Sequence, residues 1–303
     1  MKRNLGKKLV AIVAAMTMCV AMVTGCGADK EKDNDVQQSN GNGQTVNEVD
    51  AEICVISRED GSGTRDAFTE LLGIMEDDVD NTTVNAEITN STSVMMTTVA
   101  GNPDAIGYVS LGSLDDSVKA IKVDGVEAST DNVSSGDYSV ARPFNIVTGD
   151  ELGENAQDFI DFIMSIEGQA IIDEEGYISV GSDASYTASG LTGSVTLAGS
   201  TSVAPVMEKI AEKYMELNEG VTVEIQQSGS GAGITSTIEG VCDIGMSSRD
   251  LKDTEIAEGV SATKIAMDGI AVIVNKENTV ETLTSEQIKN IFVGETTNWS
   301  EVQ

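Results

Sequence analysis

A short apolar run that breaks into glycines and hydroxyls and then resumes as a helix constrains this chain more than any other stretch. It runs from Ile53 to Leu72, ICVISREDGSGTRDAFTELL. The β-branched residues at its start predict a buried strand, and Ser57 to Gly63 form the loop that follows. Ser62 or Thr64 caps the next helix, so the free backbone N–H groups of its first turn point at whatever occupies the loop.

Such a loop is suited to bind an anion, because N–H groups and the positive end of the helix dipole face the same point. Arg58 adds a guanidinium fork that matches a tetrahedral oxyanion. We expect Asp60 to hold that fork in place and to accept a proton-bearing oxygen of the ligand. An ordinary strand, loop and helix with a solvated arginine is the alternative, since glycine-rich turns before helices are common.

The first 50 residues predict an exported protein that is held at a membrane. Lysines and an arginine precede the apolar run Leu9 to Val23, and Cys26 follows small residues, which is the order of a lipoprotein signal peptide over residues 1–25. We expect Cys26 to carry the lipid, a palmitate anchor. A transmembrane anchor is the alternative, but about 15 apolar residues fall short of the roughly 20 that a span needs. Residues 26–50 are polar and predict a disordered tether.

The charge of the chain excludes several classes of function. Its formal net charge of −32 argues against nucleic acid and against an electrostatic membrane patch. It does not argue against an anionic ligand, because a dry pocket of donors is governed by its immediate neighbours. Histidine is absent from the sequence, which removes histidine triads and histidine metal sites. We therefore expect no metal and no cofactor.

Strand candidates alternate with helix candidates along the chain, which predicts parallel sheets and an α/β fold. Val84 to Ile88 is a strand candidate, and the polar stretch Ala128 to Tyr138 predicts a loop. Apolar residues at helical spacing predict one amphipathic helix from Asn155 to Ile172. Gly181 to Gly193 is small and polar without periodicity, so it predicts a flexible linker.

The loop chemistry of the opening stretch recurs in the second half of the chain. GSTSVAP, QSGSGAG and GMSSRD each follow a strand candidate, and two of them carry glycine or hydroxyl residues into a helix start. Each loop alone is weak evidence for a binding site, since Gly/Ser loops are usually turns. In open α/β sheets, however, ligands bind at the carboxyl ends of strands, where all four loops fall.

Together these motifs resemble the phosphate-binding lipoproteins of bacterial ABC phosphate importers. The resemblance covers Ala51 to Gln303 and is carried by VISREDGSGTRDAF, LAGSTSVAPVMEKIAEKY, IQQSGSGAG, IGMSSRDL and MDGIAVIVN. It implies a type II periplasmic-binding-protein fold, in which two α/β lobes, each a mainly parallel sheet flanked by helices, close on a dehydrated phosphate. The implied phosphate contacts are Arg58, Ser62, Gly63, Thr64, Thr201, Ser202, Ser230, Ser248 and Arg249, with Asp60 in support.

One position departs from the family pattern. Where some members hold a ligand-accepting aspartate, this chain has Ser248 followed by Arg249. We expect both side chains to reach the anion, which leaves open how a protonated phosphate oxygen is recognised. Asp60 is the carboxylate nearest in sequence that could replace this acceptor.

The order of the segments also departs from the family. Residues 51–180 resemble the family's C-terminal half and residues 194–303 its N-terminal half, with 181–193 joining them. A linker of this length spans roughly 20 Å, so circular permutation of one domain is our first interpretation. A fragment of a longer tandem protein is the alternative.

The resemblance also implies how the segments are shared between the lobes. One lobe is expected to contain 195–267 with 140–180, and the other 51–133 with 268–303. The hinge then lies near Asp268 and Ser139.

The expected function is a lipid-anchored binding protein at the extracytoplasmic face of the cell membrane. It captures inorganic phosphate and delivers it to ABC permease subunits. The alternative is a phosphate-binding sensor or surface module without a role in transport. We do not expect an enzyme acting through Ser62 or Ser202, because no histidine, lysine base or metal cluster is available to activate the nucleophile.

Overall fold

A computed structural model describes residues 51–77 and 79–302. The predicted signal peptide, the predicted tether and Cys26 lie outside these ranges. The strands are β1 (Cys54–Arg58), β2 (Met75–Glu76), β3 (Val79–Asp80), β4 (Glu87–Thr89), β5 (Ala105–Ser110), β6 (Lys119–Ala120), β7 (Lys122–Val123), β8 (Ala141–Thr148), β9 (Ile178–Ser179), β10 (Gly193–Gly199), β11 (Val221–Gln227), β12 (Ile244–Ser247), β13 (Ser261–Val274) and β14 (Thr282–Leu283).

The helices alternate with these strands as the sequence predicts. They are α1 (Gly63–Leu71), α2 (Thr92–Ala100), α3 (Thr130–Ser135), α4 (Glu154–Ile163), α5 (Ile166–Glu174), α6 (Ala204–Leu217), α7 (Ser230–Ile238), α8 (Asp253–Ala257) and α9 (Ser285–Val293), with short 3-10 turns at Leu111–Ser113 and Trp299–Glu301. None of the helices in the described ranges is long and apolar enough to span a bilayer.

One ten-stranded sheet runs through the described part of the molecule. Its main strand order is β11-β10-β12-β8-β13-β5-β1-β4. Two parallel groups, β11-β10-β12 and β5-β1-β4, form its ends. The antiparallel strands β8 and β13 join these groups at the centre. Both sequence segments therefore contribute strands to a single sheet.

Two apolar clusters divide this structure into two lobes. We call lobe one the part whose buried residues come from 53–140 and 270–299, and lobe two the part built from 144–177 and 195–266. This is the division that the resemblance implies, with β8 and β13 passing between the lobes near Asp268. In lobe one Phe68 stacks on Tyr108 at 4.0 Å, and in lobe two Phe159 meets Tyr214 edge to face at 4.9 Å.

The two ends of the described chain lie side by side in lobe one. Ile53 N–H donates to the Thr297 carbonyl at 2.7 Å, and Trp299 N–H donates to the Ala51 carbonyl at 3.0 Å. The last described segment thus lies beside the residues that enter β1.

Three local predictions were wrong. The expected strand from Val84 to Ile88 is the shorter β4, and Val84 is 99% exposed. Within the expected loop from Ala128 to Tyr138, Ser129 caps the short helix α3. The single helix expected from Asn155 to Ile172 is two helices, because Ser165 leaves the helical conformation and caps α5 through Gly168 N–H.

The predicted flexible linker is fixed to lobe two. Within it, Tyr186 Oη and Ser189 Oγ both donate to Asp158 Oδ2, at 2.7 and 2.9 Å. The Tyr186 ring also packs edge to face on Phe162 at 5.0 Å. The aromatic ring provides apolar contact that the small polar composition of the segment hid.

Candidate functional site

The start of helix α1 is arranged as the sequence predicts. The Ser62 hydroxyl caps the helix and accepts from Arg65 N–H at 3.4 Å, so Ser62 rather than Thr64 is the cap. Gly63 and Thr64 are the first helical residues. Their N–H groups have no partner within the helix and face outward from its end.

The first turns of α1, α2, α6 and α7 meet where the two lobes touch. Thr64 Oγ1 of lobe one lies 2.8 Å from Ser202 Oγ of lobe two. Thr92 Oγ1, at the start of α2, lies 3.3 Å from Thr201 Oγ1 and 3.2 Å from Ser202 Oγ. We call the buried hydroxyl residues at this point the hydroxyl cluster: Thr64, Thr92, Ser200, Thr201, Ser202, Ser230 and Ser248.

The remaining members of the hydroxyl cluster come from the loops of lobe two. Ser200 Oγ donates to Ser248 Oγ at 3.0 Å, and Ser248 Oγ lies 3.3 Å from Ser230 Oγ. A Cβ on Gly63 would lie 2.3 Å from Ser230 Oγ and 2.8 Å from Ser248 Oγ. Glycine is therefore required at this position for α1 to approach lobe two so closely.

Arg58 is buried beside this cluster, and two of its three guanidinium nitrogens have hydrogen-bond partners. Its Nε and Nη2 donate to the two carboxylate oxygens of Glu59 at 2.7 and 2.8 Å, and Nη2 also donates to Thr201 Oγ1 at 3.0 Å. Nη1 has no hydrogen-bond partner among the described residues. The arginine is 2% exposed, but Nη1 is not among the fully buried atoms that lack a partner, so this free donor keeps access to solvent.

The prediction that Asp60 holds the fork of Arg58 was wrong, and its role as an acceptor for a ligand oxygen stays a prediction. Its side chain is exposed, and the carboxylate that holds the fork of Arg58 belongs to Glu59. Glu59 holds Arg58 because its two carboxylate oxygens accept from Nε and Nη2 in a bidentate arrangement, which fixes the guanidinium more firmly than a single contact.

The prediction that Arg249 reaches the anion was also wrong. Its guanidinium donates to Asp66 Oδ2 at 2.8 Å and to both oxygens of Glu255 at 2.7 and 2.8 Å. Burial opposes the charge of Arg249, but the hydrogen bonds and charge of Glu255 outweigh it and raise the pKa of the arginine. Asp66 belongs to lobe one, so Arg249 joins the lobes instead of facing the hydroxyl cluster.

A second arginine reaches the cluster from the central strands. Arg142 on β8 donates through Nη1 to Thr64 Oγ1 at 2.7 Å and to the Ser248 carbonyl at 3.2 Å. Its Nε and Nη2 donate to Asp268 on the neighbouring strand β13. Burial raises the pKa of Asp268 and lowers that of Arg142, and the attraction within the pair opposes both shifts.

The local charges leave the site suited to an anion. The two buried cations Arg58 and Arg142 are each matched by one carboxylate, Glu59 and Asp268. Attraction for an anion therefore depends on N–H groups, hydroxyl protons and the starts of the helices as much as on formal charge. Among residues 51–77 and 79–302 no group of three or more acidic or cysteine side chains is arranged to hold a metal ion.

Two clefts flank the cluster. Thr92 and Thr201 line one of about 640 Å³, and Arg142 and Arg249 line another of about 960 Å³. Open space therefore adjoins the cluster at Thr92 and Thr201, and the second cleft is lined by Arg142, which donates to Thr64.

Comparisons with known proteins agree with this architecture. The family profile described as a PBP superfamily domain matches residues 34–167 and 184–303. The phosphate-binding protein PstS 2 of Streptococcus agalactiae is 48% identical over 302 residues, which are 98% of each chain. The chain belongs to the PstS family of the PBP superfamily.

Two further relatives extend this comparison. PstS 2 of Streptococcus pneumoniae is 45% identical over 256 residues, covering 83% of this chain and 88% of its own. The crystal structure of a phosphate-binding protein of a phosphate ABC transporter from the same species superposes with a TM-score of 0.68 at 45% identity, over 84% of this chain and all of its own. The two-lobed fold predicted from the sequence is confirmed.

The order of the segments is shared with the S. agalactiae PstS 2. The alignment covers 98% of both chains, so it passes through both segments in the order that they have here. The exchange of order relative to other PstS proteins stays a prediction.

Sequence reasoning missed Glu59, Thr92, Ser200, Arg142 and Asp268. The first three carried a usable signal, because each lies in or beside a loop that enters a helix start. Arg142 and Asp268 carried none, because both lie inside strands. They meet because Arg142 is opposite Asp268 in the antiparallel pairing of β8 and β13.

Proposed function

We propose that this PstS-family chain binds inorganic phosphate between its lobes, at the hydroxyl cluster. The observation that carries the proposal is buried Arg58, whose Nη2 donates to Thr201 Oγ1 where four helix starts meet and whose Nη1 is free of partners among the described residues. A tetrahedral oxyanion satisfies such donors without water. The names of the S. agalactiae and S. pneumoniae relatives support phosphate as that anion.

The ligand contacts follow from the donors available. The N–H groups of Gly63 and Thr64, the Nη1 of Arg58 and the hydroxyls of Thr64 and Thr92 approach from lobe one, and the other hydroxyls approach from lobe two. Ser62 acts chiefly through its cap, which fixes the first turn of α1. The proposed contacts are Arg58, Ser62, Gly63, Thr64, Thr92, Thr201, Ser202, Ser230 and Ser248.

Arg58→Ala tests the proposed site. A charge-assisted hydrogen bond contributes about 1.5 to 3 kcal/mol, so the variant is expected to bind phosphate at least tenfold more weakly. Calorimetric titration of residues 51–303 measures the change.

Lys119→Ala is the matched control. It removes a cation of lobe one whose ion pair with Glu281 lies at the Val274 end of β13, away from the cluster. Its phosphate affinity is expected to equal that of the wild type. Unchanged affinity in Arg58→Ala contradicts the site.

The proposed role is to deliver phosphate to ABC permease subunits at the extracytoplasmic face of the membrane. Deleting the gene is then expected to reduce phosphate uptake, and the wild-type chain restores it where Arg58→Ala does not. A sensor or surface module is the second candidate, and it leaves uptake unchanged. The chain is proposed to act by binding and not as an enzyme.

A lipid on Cys26 is proposed to anchor the protein. Cys26→Ser is expected to release the chain from the membrane fraction and to abolish incorporation of labelled palmitate. Retention of the variant in the membrane fraction contradicts the anchor.

The permuted order is proposed on the closeness of the two chain ends in lobe one. A rearranged chain that runs 194–303 and then directly 51–180 is expected to fold and to bind phosphate like the original order. The contacts of Ile53 with Thr297 support this joint. A rearranged chain that fails to fold contradicts the proposal.

A further inference from the structure

The ion pair of Arg142 and Asp268 is among the most buried polar features of the described chain. Each side chain is 1% exposed. Asp268 Oδ2 accepts from Arg142 Nε and Nη2 at 3.3 and 3.1 Å, and Oδ1 accepts from Ser110 Oγ at 2.8 Å. Burying two charges costs free energy that apolar side chains of similar volume do not cost. Stability alone therefore does not explain the pair.

The pair lies where the two lobes are joined. Arg142 and Asp268 face each other on β8 and β13, the strands that pass between the lobes. The remaining nitrogen of the guanidinium, Nη1, contacts Thr64 of lobe one and the carbonyl of Ser248 of lobe two. One side chain at the hinge thus contacts the ligand site from both sides.

The contact with Thr64 also sets a direction of hydrogen bonding. A guanidinium only donates, so Thr64 Oγ1 accepts from Arg142 at 2.7 Å. The single proton of that hydroxyl is then left to point away from Arg142. Its other neighbour is Ser202 Oγ at 2.8 Å, on the side of the hydroxyl cluster.

The same arrangement is repeated across the cluster. Thr201 Oγ1 accepts from Arg58 Nη2, and Ser200 Oγ accepts from Ser202 N–H. Ser230 Oγ accepts from Ser248 N–H at 3.1 Å. Each of these hydroxyls has a fixed N–H donor behind it, which directs its own proton away from that donor, and Ser200 Oγ accordingly donates to Ser248 Oγ at 3.0 Å.

We propose that Arg142 is a positioning residue, held by Asp268, that directs the Thr64 hydroxyl proton toward the bound anion. The inference rests on the proposed phosphate site and adds a residue to it that acts through Thr64. Without Arg142 the Thr64 hydroxyl rotates freely and presents a lone pair to the anion part of the time. The hydroxyl must then be fixed in one orientation when the anion binds, and the entropy lost in that step weakens the affinity.

A double-mutant cycle between Arg142 and Thr64 tests the inference. Arg142→Lys keeps the charge but replaces the planar fork by a single point donor. It is expected to weaken phosphate binding about tenfold in the wild-type background. In a Thr64→Val background, which has no hydroxyl to direct, the same change is expected to weaken binding less than about twofold.

The cycle is read by titration calorimetry and by the shift of the melting temperature at phosphate concentrations up to tens of millimolar, so that weak binding still yields a number. Equal loss in both backgrounds overturns the inference, because Arg142 then acts independently of Thr64. No loss in Arg142→Lys also overturns it. If the wild-type chain does not bind phosphate, the proposed function itself fails.

Two further variants separate positioning from stability. Tyr138→Phe removes a buried hydrogen bond to the Ile270 carbonyl on β13 and is expected to lower the melting temperature without changing phosphate affinity. Arg142→Gln combined with Asp268→Asn removes both charges together. This pair is expected to recover the stability that Arg142→Gln alone loses and to remain at least about fivefold weaker in phosphate binding. Full recovery of binding contradicts positioning by Arg142.

Discussion

Gly63→Ala acts as a wedge between the lobes at the proposed site. Gly63 belongs to lobe one, and the atoms that its new Cβ would meet belong to lobe two. Ser230 Oγ would lie at 2.3 Å, Ser248 Oγ at 2.8 Å and Ser230 Cβ at 2.9 Å. The oxygens can turn away, but the Cβ of Ser230 is fixed to its backbone. The contact between the two Cβ atoms therefore requires a displacement of roughly half an ångström or more.

The added methyl group is expected to weaken closure of the lobes on phosphate and not the folding of the chain. Inserting a methyl group into a tight contact costs about 1 to 3 kcal/mol, which corresponds to a loss of about 5- to 150-fold in phosphate affinity. Gly63 is the first residue of α1, and alanine is at least as good a helix former as glycine there. The melting temperature without phosphate is therefore expected to stay the same or to rise.

Titration calorimetry and thermal unfolding of the same preparation measure the two quantities. Gly153→Ala is the matched control, because that glycine also lies at a helix start, as the N-cap of α4, but has open space around its Cβ position. It is expected to leave phosphate affinity unchanged. Wild-type affinity in Gly63→Ala would refute the reasoning, because the lobes would then bind phosphate without the approach seen at Ser230.

Two other predictions concern stability. Burial pushes the pKa of Glu255 upward, but its hydrogen bonds from Arg249 and from Lys252 N–H outweigh this and hold it below the ordinary value of 4.5. Glu255→Gln is therefore expected to lower the unfolding free energy by about 1 kcal/mol at neutral pH. Because the folded-state pKa lies below 4.5, this difference between wild type and variant is expected to disappear as the pH falls below 4.5, which urea unfolding at several pH values measures. A stability difference that stays constant with pH contradicts the stabilising role of the ionised Glu255. Asp158→Ala removes the acceptor shared by Tyr186, Ser189 and the buried Tyr214 and is expected to lower the unfolding free energy by about 2 kcal/mol without changing phosphate affinity; no loss in urea unfolding contradicts the fixed linker.

The sequence was most informative where a local rule decides the structure. Ser62 caps α1 because a hydroxyl before a helix satisfies its free N–H groups, and that rule needs no tertiary contact. The recurrence of glycine and hydroxyl loops after strands predicted which chain segments meet at the site. The hydroxyls of Ser230 and Ser248 accordingly lie together in the structure, and that of Ser202 meets Thr64.

Sequence reasoning failed where a choice between neighbouring side chains depends on geometry. Glu59 and Asp60 are adjacent acids, and only the path of the loop decides which one meets Arg58. Arg249 follows Ser248 directly, yet its guanidinium turns to Asp66 and Glu255. The meeting of Arg142 with Asp268 depends on the register of two strands distant in sequence, which no local pattern specifies.

The central claim is that one chain with this order of segments forms a complete phosphate site between its lobes. Calorimetric titration of residues 51–303 with phosphate, and with sulfate as the comparison anion, tests it most directly. The account predicts binding of one phosphate per folded monomer, with affinity lost in Arg58→Ala. A folded monomer that does not bind phosphate would contradict it.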